Sequence, residues 1–246
     1  MTSPNAYHRI KTVLLTLQES LPPYTPSAEQ IQLWQSRLQA KDIPLSDGDF
    51  PAHWAADGLT AIFASICNKA LTEEEAQGMI AAYWNDQSLS LAASRHSMDE
   101  AILTMYVHLA CQWALSRLAA TLAVYAPCAH WDHSHCPTCG GAPMISYFSK
   151  DNGSRHLICG ACQTSWRFRR IGCPFCGEEN HEQLRTLEAE EYPGWTVMVC
   201  QTCRGAIKTG DLRNLAEKPD WNEVQLTLLP LDFAVAKWLN DEPKKS

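Results

Sequence analysis

Eight cysteines in four Cys-x-x-Cys pairs constrain this 246-residue chain more than any other feature. The pairs are Cys136/Cys139, Cys159/Cys162, Cys173/Cys176 and Cys200/Cys203, all within 68 residues. Two intervening residues let one tight turn aim both sulfurs at the same ion. Nineteen residues separate the first two pairs and 23 the last two. Either gap suits a β-hairpin that leaves and returns to close a tetrahedral four-sulfur site. Only ten residues separate the second pair from the third, short for a site of its own. The expected grouping is therefore sequential: Cys136, Cys139, Cys159 and Cys162 in one site, Cys173, Cys176, Cys200 and Cys203 in the other. A cross-braced arrangement, first pair with third and second with fourth, stays open.

Local chemistry supports metal binding. Cys136-Pro137-Thr138-Cys139-Gly140 and Cys173-Pro174-Phe175-Cys176-Gly177 both place proline after the first cysteine and glycine after the second. Proline fixes one backbone angle of the turn. Glycine can turn left-handed, and its N–H is expected to point at a thiolate and offset its charge. Tetrahedral four-sulfur sites take zinc or iron, and neither site leaves an open position for hydrolytic chemistry. Residues 136–203 are polar and loop-rich, so metal binding there would supply folding free energy. A thioredoxin-like redox pair would need one Cys-x-x-Cys on a βαβ pattern, which is absent. Cys67 and Cys111, on helical stretches, are expected to be core thiols, and Cys128 stands apart. His130, His133 and His135 crowd the first turn and are expected to be structural or solvated.

The rest of the chain has a different texture. Ile10, Val13, Leu14 and Leu17 recur at helical spacing. Ser27 with Gln30, Thr72 with Glu75, and Ser97 with Glu100 read as capping boxes. The first leads into Ile31, Trp34 and Leu38. The second opens a helix toward Trp84. The third opens the longest helix, with Ile102, Met105, Leu109 and Trp113 on one face, ending before Pro127. Another helix is predicted over 52–70, and a loop over 44–51. Residues 144–148 and 197–199 are β-prone, and two Cys-Pro-x-Cys-Gly turns mark an approximate duplication. The tail from Trp221 reads as a strand-like or broken piece, then a short helix from Leu231. The fold class predicted is α+β: an N-terminal helical bundle of five or six helices (1–127), two small four-cysteine modules of rubredoxin-like or zinc-ribbon type (128–167 and 168–246) and a short C-terminal helix.

Charge narrows the partners. The chain carries a net charge of −7. Residues 1–130 hold seven Lys/Arg against twelve Asp/Glu, and residues 136–214 hold nine against eight. A nucleic-acid-binding zinc ribbon, with Tyr147, Trp166 and Phe168 stacking on bases, would need a basic excess that is missing. No apolar run reaches membrane-spanning length and Met1–Thr12 lacks a signal-peptide core, so a cytoplasmic location is expected. No acid–base pair, activated nucleophile or phosphate loop appears, so an enzyme is not expected.

The segment from Cys136 onward resembles the FdhE-type formate dehydrogenase accessory proteins. The carriers are CPTCGGAPMISYF, GSRHLICGACQTSWRFRRIGCPFCG and VCQTCRGAIK. Arg155, Trp166 after the second pair, Arg170 before the third, Lys208 after the last, and the run Leu226–Asp232 ending in Leu-Asp extend the likeness to about residues 127–240. The sequence departs from the family at Ser165, where Glu is usual, at Arg204-Gly205-Ala206, in a longer acidic loop before Cys200, and in a shorter N-terminal part. The resemblance implies a helical domain followed by two rubredoxin-like modules with iron at the four-cysteine sites. It also implies a cytoplasmic chaperone-like protein that binds the catalytic subunit of a formate dehydrogenase during maturation. Arg155, Trp166, Arg167, Arg169 and Arg170 are the expected contact residues for that partner. A rubredoxin-like redox role and a homodimer are further readings that the sequence leaves open.

Overall fold

The computed structural model describes residues 4–45, 49–128, 131–188, 190–215, 217 and 219–241. Asp47 and Gly48 of the expected loop, and His130, lie outside the described residues. The chain divides into two compact units, residues 1–40 with 44–127, and residues 41–43 with 128–246.

The first unit is helical: α1 (Pro4–Ser20), α2 (Ala28–Gln39), α3 (Ala52–Ile62), α4 (Glu73–Trp84), α5 (Ser90–Arg95) and α6 (Glu100–Tyr125). In α1 the predicted stripe buries Ile10 and Leu14. Trp34 of α2 is fully buried. The Thr72–Glu75 capping box forms in both directions, at 3.2 Å and 2.9 Å. At Ser27 only the Gln30 N–H to Ser27 Oγ half is present.

Three sequence expectations need correction here. Helix α3 gives way to a π turn at Phe63–Cys67 and stops at Asn68, whose left-handed backbone cannot continue it. Helix α6 is capped by Asp99, whose carboxylate accepts from the N–H groups of Ala101 and Ile102. Ser97 is left-handed, and Glu100 instead accepts from Leu89 N–H and Ser88 Oγ. The fully buried residues of α6 are Leu103, Val107, Ala110 and Ala114; of the predicted face Trp113 is buried, while Ile102, Met105 and Leu109 are half-buried. That helix is apolar almost all round, so spacing alone could not pick its inward face.

The second unit is one six-stranded sheet. Its strands are β1 (Pro143–Phe148), β2 (Arg155–Cys159), β3 (Ser165–Arg167), β4 (Leu184–Glu188), β5 (Trp195–Cys200) and β6 (Ala206–Asp211), in the order β3-β2-β1-β6-β5-β4. The same sequence of parts occurs twice: Cys turn, hairpin, Cys turn, third strand. Both hairpins return on a cysteine, β2 ending at Cys159 and β5 at Cys200. This explains the near-equal gaps. The repeats join edge to edge, where β1 pairs in parallel with β6, Ile145 opposite Lys208 and Phe148 opposite Asp211.

From Trp221 to Asp241 the chain forms two helices, α7 (Trp221–Thr227) and α8 (Leu229–Asp241). The strand-like piece expected from Trp221 is therefore not found. Pro230 is the second residue of α8, in the first turn where proline's missing N–H costs nothing. These helices complete the core that residues 136–203 lack by themselves. Trp221 and Leu228 pack with Ile145, Tyr147, Ile158 and Trp195, and Val235 packs with Val197 and Val199.

Lys208 and Asp232, two features of the resemblance that are far apart in sequence, meet: Nζ lies 2.6 Å from Oδ2. The Lys208 side chain is 5% exposed, so the carboxylate is its compensation for burial. Asp232→Asn is expected to cost about 2–3 kcal/mol by stranding the buried ammonium, and Lys208→Met less. Denaturant titration of both variants checks this order, and a greater loss in Lys208→Met would refute it.

Candidate metal centres

The structure brings the eight cysteines together as two groups of four, in the sequential pairing. Within each group all sulfurs lie within 4.8 Å of one another. Cys136 Sγ is 3.5 Å from Cys162 and Cys139 is 3.6 Å from Cys159. In the second group Cys173–Cys203 is 3.6 Å and Cys176–Cys200 is 3.7 Å. Four sulfurs at about 2.3 Å from a tetrahedral ion stand about 3.8 Å apart, so the donor set and spacing fit one metal ion per group. In the first group Cys159 is pushed below the ordinary thiol range by hydrogen bonds from Cys136, Cys139 and Cys162, while the same contacts push Cys139 and Cys162 up.

All four turns share one backbone pattern. The N–H of the first cysteine donates to the carbonyl five residues on: Cys136 to Gly141, Cys159 to Thr164, Cys173 to Glu178 and Cys200 to Gly205. The N–H four residues on donates back to that cysteine's carbonyl, from Gly140, Gln163, Gly177 and Arg204. All four of those residues are left-handed, with φ of 73°, 59°, 78° and 61°. The left-handed glycines are as expected, but their N–H groups go to carbonyls rather than to sulfur. The N–H···S contacts come from Thr138 to Cys136 (3.3 Å), Ala161 to Cys159 (3.3 Å), Phe175 to Cys173 (3.4 Å) and Gly205 to Cys203 (3.4 Å). The sequence signal for glycine was visible only in two turns, because Gln163 and Arg204 take the same backbone conformation without it.

The two centres differ in exposure. Cys136, Cys159 and Cys162 are buried and Cys139 is half-buried. In the second centre Cys173 and Cys200 are buried but Cys176 and Cys203 are exposed. Phe175, beside the second centre, is also exposed.

The expected contact residues separate into two sets. Arg167, Arg169 and Arg170 are exposed. Arg155 and Trp166 are interior, at 2% and 5% exposure, which corrects their expected place on an accessible surface. Arg155 Nε donates to Ser146 Oγ on β1 (2.9 Å) and Nη1 to the carbonyl of Gly172 (2.8 Å), tying the first repeat to the residue before Cys173. Burial pushes its guanidinium down to about 10, opposed by the nearby Cys173 sulfur. Trp166 Nε1 donates to the His133 carbonyl (3.2 Å). Tyr147 and Phe168 are buried as well, so the three rings that a base-stacking platform would use are interior. His133 and His135 stack on each other and edge against Trp131, just ahead of the first turn, and neither joins a four-sulfur group. Cys111 is a buried core thiol, pushed up to about 12 by desolvation, while Cys67 is half-buried.

Two outcomes follow. Gly177→Ala meets no atom within 4 Å and is expected to cost about 1–2 kcal/mol from backbone strain alone, read by denaturant unfolding of metal-loaded protein. A neutral result would mean the turn relaxes. A chelator time course followed by alkylation and mass spectrometry is expected to label Cys176 and Cys203 before any cysteine of the first centre. The reverse order would contradict the exposure difference.

A family model described as "FdhE, central domain" matches residues 135–170, which include the whole first centre. A Pseudomonas aeruginosa protein named "Protein FdhE homolog" is 26% identical over 223 residues, 82% of this chain and 70% of that protein. An Aquifex aeolicus "Protein FdhE homolog" is 31% identical over 86 residues, 34% of this chain and 30% of that protein. The crystal structure of the FdhE protein from Pseudomonas aeruginosa superposes with a TM-score of 0.70 at 22% identity, covering 93% of this chain and 82% of that one. By its central segment, its sequence relatives and its fold, the chain is FdhE-like.

Proposed function

We propose that the chain is an accessory protein of formate dehydrogenase maturation, acting in the cytoplasm by binding the immature catalytic subunit. The observation that carries this reading is the FdhE-like sheet with two intact four-sulfur groups. The eight cysteines would hold two ions, zinc or iron. A closed four-sulfur ion supplies cross-linking: binding of a structural zinc is worth about 10–16 kcal/mol in small domains. Each ion would pin a hairpin return to the preceding turn and so set the shape of the surface between the centres. On this reading residues 128–167 and 168–246 act as two modules of one platform, and residues 1–127 as a separate helical domain. Arg167, Arg169 and Arg170 would face the partner, with Arg155 and Trp166 holding them from within. Among the described residues no helix is long and apolar enough to cross a membrane.

The test is anaerobic co-purification of the tagged chain with the catalytic subunit of a cognate formate dehydrogenase in cells that cannot complete its maturation. Capture of the subunit is expected, with loss of capture after Cys136→Ser or Cys200→Ser. No capture by the intact protein would refute the reading. Metal analysis with an absorption spectrum on the same sample separates iron from zinc.

A further inference from the structure

Within the second unit lies a cleft of about 1090 Å³. One wall is the hairpin turn at Asn152, Gly153 and Ser154, and the other is the segment Arg167–Ile171. Its charge is unbalanced. Lys41 and the arginines at 155, 167, 169 and 170 line it, against Asp132 and Glu179. Glu179 is held by Arg169 in an ion pair. Asp211, whose carboxyl feels Arg170, is clamped by Arg213 through two bonds of 2.8 Å and 2.7 Å. Arg167 and Arg170 form no ion pair among the described residues, Arg170 acting on Asp211 only at longer range. Arg170 uses one nitrogen on the Gly153 carbonyl (2.9 Å) and lies over Phe148 (5.2 Å), which fixes its guanidinium and leaves its other donors for a ligand. Ile171 adds an apolar rim at 56% exposure.

We propose that this cleft binds an acidic peptide segment of a partner protein, its carboxylates paired with Arg167 and Arg170 and an apolar side chain against Ile171. Guanidinium forks match carboxylates two bonds at a time. The site is built for few charges rather than a phosphate chain. The rings around it, Trp131 and Phe168, are 8% and 4% exposed, so they offer no stacking face, and two carboxylates sit in the lining. Single-strand binding needs stacking platforms and repeated phosphate contacts. The partner's identity rests on the accessory-protein reading; the chemistry of the cleft does not.

Fluorescence anisotropy tests this with the full metal-loaded protein and a short labelled peptide of alternating Glu and Leu, its ends blocked. A Gln-for-Glu peptide and labelled oligo-dT serve as comparisons. Binding of the Glu peptide alone is expected, weakening as salt is raised. Arg167→Gln with Arg170→Gln is expected to weaken it roughly tenfold or more. Arg167→Gln alone, which breaks no ion pair of the described residues, should weaken it in the same direction. Arg185→Gln, exposed on β4 and outside the cleft, should leave it unchanged. No binding, equal binding of the Gln peptide, tighter binding of oligo-dT, or an equal loss in Arg185→Gln would each overturn the proposal. Peptide binding without capture of the dehydrogenase subunit would leave the cleft standing and refute the accessory-protein reading.

Discussion

Four cysteine sulfurs cannot share a space under 5 Å across without compensation. Thiolates repel, and thiols leave polarisable groups poorly satisfied. Everything in the second unit serves that convergence. Each sulfur pair is delivered by a turn whose backbone closes on itself. The backbone leaves the turn through a left-handed residue, and the hairpin between turns returns at the cysteine that starts the next one. A shared metal ion is the compensation with the right charge and geometry.

The repeats are not independent once folded. Parallel pairing of β1 with β6 fuses them into one sheet, and Arg155 reaches from the first repeat to the carbonyl before Cys173. The C-terminal helices then cover the sheet, with Lys208 and Asp232 joining sheet to helix. A disturbance at one centre therefore has a short mechanical route to the other. The exposed arginines lie on the segment between the second and third turns, where both repeats fix its ends.

The centres differ in exposure, with three buried sulfurs and one half-buried in the first. The second, with Cys176 and Cys203 at the surface, is open to reagents and to a partner. Nothing in the cysteine spacing distinguishes them, since both follow the same turn pattern. The difference comes from what packs around each turn. Trp131 and the two stacked histidines gather just ahead of the first turn, where Trp131 Nε1 holds the His135 carbonyl and Trp166 Nε1 the His133 carbonyl.

Spacing by itself determined a good deal. Cysteine intervals set which sulfurs meet, because a hairpin of about twenty residues returns to its start whatever else surrounds it. Caps at Thr72 and the proline at 127 set helix ends, because those effects act within one turn of chain. Other features were decided only by tertiary structure. Asp99 capped α6 in place of Ser97, since Glu100 was drawn to Leu89 and Ser88. The inward face of α6 was chosen by its neighbours, since its sequence is apolar all round. Trp221 opens α7 behind Asp220, whose carboxylate accepts from Glu223 N–H at 3.0 Å, while only the fold brings its ring against Tyr147, at 4.9 Å. The arginines show the same division. Their sequence placed five functional candidates in one short stretch, but only the sheet could send Arg155 and Trp166 inward and leave Arg167, Arg169 and Arg170 outside. A strand alternates its faces, and which face meets the core is a property of the assembled fold.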